Sequence, residues 1–196
     1  MEKINFIKTF IPKGDFREKY EHGGMMVRHL AAVLDEKMGA YECYECTVPI
    51  GEYDEGEIQK AFVEFSARMD ALKLKQAKAD KIAEITAYDT SSSVNGFMLN
   101  GLLVWLDKAT RVGLMNSTTI AKAAGQKTTT LWLGGIKLVV DCDKAIQLLS
   151  ALEMYALECF NVTASHKQAV SELTAIEEVE AYNYKAGYPK MLEMSV

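Results

Sequence analysis

Several features that mark particular protein classes are absent from this 196-residue sequence. It has only three prolines, no long hydrophobic run and no basic excess, since 27 acidic residues outnumber 22 basic ones. A membrane-spanning helix needs about 20 mostly apolar residues, and nucleic-acid modules usually carry clustered Lys and Arg. We therefore expect no membrane and no nucleic-acid partner. The opening residues, MEKIN, lack the apolar stretch of a secretory signal, so we expect synthesis and folding in a cytoplasm.

Motifs of enzymes and cofactor sites are absent as well. The chain contains no GxxxxGK[ST], GxGxxG, HExxH or GxSxG, and its three histidines are scattered. Cys43 and Cys46 have CxxC spacing, but Cys142 and Cys159 lie far along the chain and do not form the second pair of a zinc site. Residues three apart in a strand point to opposite faces. We therefore expect free thiols, no metal, no cofactor and no enzymatic activity.

The first 53 residues predict a small β-rich unit. Residues 41–48, YECYECTV, mix Tyr, Cys and Val with Glu and Thr before a proline, which is typical of a strand. Residues 25–38 fit either a strand that pairs with it or a short helix. Of the two, the strand is favoured, because it would complete a β-unit.

A long helix is predicted to begin at Asp54 or Glu55 and to end near residue 87, which gives a separate segment 54–87. Its apolar positions follow the 4, 3, 4, 3 steps of a coiled-coil seam. The seam consists of Ile58, Phe62, Phe65, Met69 and Leu72. The largely charged sequence that follows, LKLKQAKADK, predicts a solvated stalk or linker with a domain boundary near residues 75–85. We predict that the seam is a protein interface, and a homo-oligomer is its simplest product.

Residues 88–196 predict a C-terminal α+β domain in which two hairpins pack with helices. Asn100 and Gly101 lie between apolar runs, as in a type I′ turn, and a Gly-Gly pair at 134–135 turns the second hairpin. Trp105 and Trp132 lie in these hairpins, where aromatic side chains commonly pack beneath a helix. If both were exposed, they would instead indicate stacking on a sugar or on a partner.

Acidic residues follow each hairpin at positions where they can cap a helix. Asp107 can cap the first helix, and either Asp141 or Asp143 the second, which is predicted to run to about residue 173. Thr174 and Glu177 match a capping box that opens a short last helix. The whole chain is thus predicted to be α+β: a small N-terminal β-unit, a long connecting helix and a C-terminal domain.

The order of elements in residues 86–188 carries a resemblance. This stretch contains FMLNGLLVWLD, TTTLWLGGIKLVVD, a predicted long helix rich in Ala and Leu, and a closing IEEVEAYNY. In this order they resemble a domain of unknown function that recurs in phage and prophage tail proteins. The front half, with TFIPKGDF, HGGMMVRH and YECYEC, resembles small proteins from gut-bacterial prophages.

This resemblance implies a non-enzymatic structural component of a phage tail, associated with the fibre or the baseplate. Such a protein would contact other phage tail proteins, would be made in the bacterial host cytoplasm and would be placed in the virion tail. One alternative is a tail-fibre assembly chaperone that is absent from the mature particle. Another is a carbohydrate-binding module, which would need a polar pocket near Trp105 or Trp132.

Overall fold

The computed structural model describes residues 4–196 and has the predicted α+β class, with an N-terminal sheet, a long helix and a C-terminal domain of hairpins and helices. The chain divides into two compact units between Lys73 and Leu74. The division falls inside the long helix α1 (Glu55–Asp89), so residues 55–73 belong to the first unit and residues 74–89 to the second.

The first unit is built on one antiparallel sheet. Its strands are β1 (Ile7–Pro12), β2 (Lys19–His22), β3 (Met25–Asp35) and β4 (Ala40–Pro49). The strand order is β1-β4-β3-β2. The strand predicted for residues 41–48 is confirmed as β4, and the segment 25–38 forms the paired strand rather than a short helix.

A β-bulge interrupts the pairing of β3 with β4. The register shifts between Leu30 and Val33, and Ala31 adopts a positive φ of 51°. A bulge inserts one extra residue, so Leu30 and Val33, which oppose Tyr44 and Glu42, lie on the same face of the sheet. On that face Leu30 is buried before the bulge, whereas Val33 is exposed after it.

One face of this sheet packs against the first half of α1. Leu30, Cys46 and Val48 form a buried cluster with Ile58 and Phe62. Alternate residues of a strand share a face, while residues four apart share one side of a helix. The two-residue spacing of the strands and the four-residue spacing of the helix therefore bring these five side chains into one core.

The second unit contains all the remaining elements. They are α2 (Ser92–Asn95), β5 (Gly96–Leu99), β6 (Leu102–Trp105), α3 (Lys108–Ala123), β7 (Thr128–Leu133), β8 (Ile136–Asp141), α4 (Cys142–Glu172), α5 (Ile176–Ala181) and β9 (Leu192–Met194). Inward-facing residues of both hairpins, such as Phe97 and Leu131, pack against Leu149 and Leu152 of α4. The main core of this unit therefore lies between the hairpins and α4.

Both predicted hairpins are confirmed. The first turns on Asn100 and Gly101, with φ of 50° and 80°, and pairs β5 with β6. The second turns on Gly134 and Gly135 and pairs β7 with β8. A Cβ at Gly134 would lie 3.0 Å from Val104, so the absence of a side chain also lets the second turn approach β6.

The predicted helix caps after the hairpins are confirmed, and the structure decides the open choice. An oxygen of Asp107 accepts a hydrogen bond from the backbone N–H of Thr110 at 2.8 Å. At α4 the cap is Asp141, which accepts from the N–H groups of Asp143 and Lys144. Asp143 lies inside the first turn of α4.

The C-terminal region departs from prediction in two places. The last helix begins one residue later than its predicted capping box, because Ala175 occupies the N-cap and Glu178 accepts from its N–H at 3.2 Å. Thr174 and Glu177 are therefore not the capping pair. The strand β9 was not predicted, and it pairs in parallel with β5.

The predicted solvated stalk is wrong, because the second half of α1 is packed within the second unit. Ile85 is fully buried together with Val170 of α4 and Val179 of α5. The Nζ atom of Lys78 donates to the carbonyl of Ser171 at 2.8 Å. This half of α1 therefore has an apolar side as well as a charged one. The apolar side includes Leu74, Ala77, Ile82 and Ile85, and it does not continue the predicted seam.

Candidate functional site

The predicted interface seam divides into buried and exposed positions. Ile58 is 0% exposed and Phe62 is 8% exposed. Phe65 and Met69 are half-buried, and Leu72 is 58% exposed. The seam prediction is therefore corrected at its first two positions, because core side chains have no surface to offer a partner.

The cysteines are free and buried, and the two of the CxxC pair point to opposite faces of the sheet. Cys46 lies in the cluster that faces α1, whereas Cys43 lies on the other face. Burial raises the pKa of both thiols, and the thiolate is the form that reacts or binds metal. Among residues 4–196 no group of three or more His, Cys, Asp or Glu side chains is arranged to hold a metal ion.

Two of the histidines have well-defined hydrogen-bond partners. His29 is buried, with Nδ1 bonded to the carbonyl of Arg17 and Nε2 placed 3.2 Å from Glu45. In His166, Nε2–H donates to the carbonyl of Ala186, so Nδ1 accepts from the hydroxyl of Tyr182. Both rings tie separate segments of their own unit together.

The tryptophans are on the surface rather than beneath a helix. Trp105 is 39% exposed and Trp132 is 59% exposed, so the expected core packing is wrong. In β6 the neighbouring residue Val104 points inward and is buried. Because successive side chains of a strand alternate, Trp105 must point outward.

A cleft of about 400 Å³ in the second unit lies beside Trp105. Its apolar lining comes from the end of β6 and from one side of α4. These residues are Trp105, Leu106, Ala156, Leu157 and Phe160. Trp105 is 39% exposed, and Leu157 and Phe160 are each at least half exposed. Solvent can therefore reach the rings of both Trp105 and Phe160.

The polar lining of the cleft comes from three stretches of chain. Asp89, Thr90 and Asn95 lie near the end of α1 and in α2, and Glu153 lies on α4. The remaining polar residues surround the start of α3: Asp107, Lys108 and Arg111. No histidine, cysteine or serine lines the cleft. Its lining therefore lacks the usual pairing of a nucleophile with a histidine base.

Arg111 is the most constrained polar residue of the cleft. It is buried, its Nε donates to Glu153 at 2.9 Å, and its Nη1 donates to the carbonyl of Leu106 at 2.7 Å. These two bonds join the start of α3 to α4 and to the end of β6. The guanidinium plane is therefore fixed in place before any ligand arrives.

Two carboxylates of the cleft are also held in place. Asp107 accepts from both the N–H and the hydroxyl of Thr110, and these bonds lower the pKa of its carboxyl group. Asp89 accepts from the hydroxyl of Thr163 on α4 at 2.8 Å. Asn95 donates to the backbone carbonyl of Asp89 at 2.6 Å. The cleft therefore combines an exposed aromatic wall with fixed polar groups, an arrangement suited to binding.

Of the cleft residues, only Trp105 was singled out from the sequence in connection with a pocket. Arg111, Glu153 and Phe160 were not singled out. One signal was available for Phe160, because it lies three residues after Leu157 and the two share the exposed side of α4. Two large apolar residues on the solvent side of one helix can indicate a binding surface.

Comparisons with known proteins give one match. The searches of curated proteins and of solved structures found no match to the chain. No helix in residues 4–196 has the length and hydropathy needed to cross a membrane. A family model described as Domain of unknown function (DUF4376) matches residues 76–186, which is more than half of the chain and includes every residue of the cleft. The chain therefore belongs to the DUF4376 family.

Proposed function

We propose that the protein is a non-enzymatic structural component of a phage tail, associated with the fibre or the baseplate, and that it acts through contacts with other tail proteins. The likeness of residues 86–188 to tail-associated domains supports the role. The exposed outer face of the second hairpin supports the mode of action. The protein is made in the bacterial host cytoplasm and becomes part of the virion tail.

The outer face of the hairpin β7–β8 is the observation that carries this proposal. Trp132 pairs with Lys137, and Thr130 pairs with Val139. Trp132 and Val139 are both about 60% exposed. Side chains of paired residues lie on the same face of a hairpin, so a large aromatic and a branched aliphatic residue share this surface. Tryptophan is enriched in the cores of protein interfaces, which favours a protein partner here.

Self-association is a second part of the proposal. Met69 is half-buried and Leu72 is 58% exposed in the first unit. Residues three apart are neighbours on one side of a helix, so this pair gives a second copy of the chain an apolar surface on α1. Light scattering over a range of concentrations measures the assembly state. If the protein stays monomeric at every concentration, the proposed self-association is excluded. The proposed contact through the β7–β8 hairpin is not affected by that result.

Mass spectrometry of purified virions tests the main proposal. The phage that encodes the chain is purified to constant composition, and the particles are compared with the infected-cell lysate. A structural component is found in both samples at a fixed ratio to known tail proteins. If the chain is abundant in the lysate but missing from complete particles, it is an assembly chaperone and the proposal fails.

A pair of variants tests the surface. We expect Trp132→Ala to lower incorporation into particles, because the substitution removes the largest side chain of the outer hairpin face. Trp105→Ala is the matched control, since it removes the same side chain from the other hairpin. Equal incorporation of both variants and the unmutated protein would exclude the outer face of β7–β8 as the contact.

A further inference from the structure

The cleft beside Trp105 has the chemistry of a carbohydrate site, and we propose that it binds a neutral saccharide. The proposal does not depend on the tail role, because it rests on different residues. Its ligand is a sugar with free hydroxyl groups and no charge. The argument rests on the aromatic wall, the fixed polar groups, the charge balance and the size of the cleft.

The aromatic wall fits the apolar face of a sugar ring. Trp105 and Phe160 line the same cleft, and both have exposed rings. The face of an aromatic ring carries partial negative charge, which attracts the weakly positive C–H groups on one side of a pyranose. Burial of that C–H face also removes apolar surface from water.

The polar groups fit the hydroxyls of the same ring. Asn95, Asp107, Arg111 and Glu153 provide an amide, two carboxylates and a guanidinium. Sugar hydroxyls both donate and accept, so they match a mixed set of donors and acceptors better than an all-donor or all-acceptor set. Arg111 and Asp107 are each held by two hydrogen bonds within the protein. Such preorganisation reduces the entropy lost on binding.

The charge balance favours a neutral ligand over an anionic one. Three carboxylates (Asp89, Asp107 and Glu153) line the cleft with two cations (Lys108 and Arg111). Arg111 is already paired with Glu153, so a phosphate or a sialic acid would meet uncompensated negative charge. A cleft volume of about 400 Å³ lies in the ordinary range for small-molecule sites.

Tryptophan fluorescence tests the proposal directly. The chain has only two tryptophans, so Trp132→Phe leaves Trp105 as the single reporter in the full-length protein. Maltose, lactose and diacetylchitobiose are the soluble probes, and an array of neutral glycans extends the search. We expect a saturable change in Trp105 emission with at least one neutral glycan. The absence of a saturable response to every probe and every array glycan overturns the proposal.

Variants of the exposed wall separate a binding role from a folding role. We expect Trp105→Ala and Phe160→Ala each to weaken binding of the responding glycan about tenfold, which corresponds to about 1.4 kcal/mol, as measured by calorimetry. Trp105→Phe keeps an aromatic ring and retains most of the binding. Trp132→Ala is the matched control and binds normally.

Two further outcomes would contradict the saccharide assignment. If both wall variants bind the glycan as tightly as the unmutated protein, the sugar binds elsewhere. If an apolar peptide displaces the glycan and binds more tightly, the cleft is a peptide-docking groove.

Discussion

Replacing Ile58 with alanine tests whether the apolar stripe of α1 is a core or an interface. The side chain of Ile58 is completely buried against Leu30, Val48 and Phe62. Ile58→Ala removes three carbon atoms and leaves a cavity beneath the sheet. In an intermolecular seam the same change would instead weaken association between chains.

The expected cost follows from the complete burial of Ile58. Buried Ile→Ala substitutions cost about 2–5 kcal/mol, and sites that cannot collapse lie in the upper part of that range. Ile58 lies between its own helix α1 and the paired sheet, which leaves little room for collapse. We therefore expect a loss of about 3–4 kcal/mol in the free energy of unfolding. Ile58→Val removes one carbon and should cost about 1 kcal/mol.

Amide hydrogen exchange of β4 is the most direct measurement, because β4 pairs with strands on both sides and reports the opening of the first unit. A loss of 3–4 kcal/mol should accelerate exchange from the open state by roughly 100- to 1,000-fold. Leu72→Ala is the control on the same stripe. Because Leu72 is mostly exposed, its substitution should change stability by less than about 0.5 kcal/mol.

The reasoning would be refuted if Ile58→Ala and Leu72→Ala had equal effects on β4 exchange. It would also be refuted if Ile58→Ala left exchange unchanged and shifted only the assembly state in light scattering. Either result would mean that Ile58 contacts another chain.

Substitutions at three other sites have expected outcomes that can be measured by urea or thermal unfolding. Asp107→Ala should lower the thermal midpoint and Asp107→Asn should largely restore it, because asparagine still accepts from the N–H of Thr110. The folded-state pKa of Asp107 lies below its ordinary 3.8. The stabilisation that the ionised carboxylate gives is therefore complete above about pH 3.8 and is lost as the pH falls through the lowered pKa. Tyr155→Phe should cost about 1–2 kcal/mol, because the buried hydroxyl donates to the carbonyl of Val94 at 2.8 Å; a cost near zero would contradict that bond. Ala31→Gly should stabilise by up to about 1 kcal/mol, since a positive φ strains alanine and not glycine; a destabilised variant would contradict the bulge geometry.

Features with a local physical cause could be predicted from the sequence. Asn100-Gly101 predicted its turn because few other pairs tolerate two consecutive positive φ angles. Asp107 predicted its cap because a short acidic side chain reaches the N–H groups of the first turn. Both features involve residues that are close together in the chain, so the local sequence determines them.

Features that depend on distant contacts could not be predicted. The strand β9 has three residues and pairs with β5, which lies about half the chain earlier. The many lysines in the second half of α1 predicted a solvent-exposed helix. Lys81 shows how such a residue becomes partly buried, since its side chain is only 15% exposed while its Nζ still reaches Glu84 at 3.1 Å.

The cleft was the least predictable part, because three separate segments of the chain contribute to it and they belong to different helices and a strand. Residues 89–95, 105–111 and 153–160 come together only after the hairpins and α4 have packed. No short motif links Arg111 to Glu153. The sequence offered only Trp105 and the condition that a sugar site would need a polar pocket next to it.

The four buried thiols have a practical consequence for experiments on this protein. All four native cysteines are inside the fold, and burial raises the pKa of the thiols of Cys43, Cys46 and Cys159. A cysteine introduced at an exposed site would ionise at a lower pH and would be reached first by a maleimide or a spin-label reagent. Probes can thus be attached at one chosen position on the native background, without first replacing any of the natural cysteines.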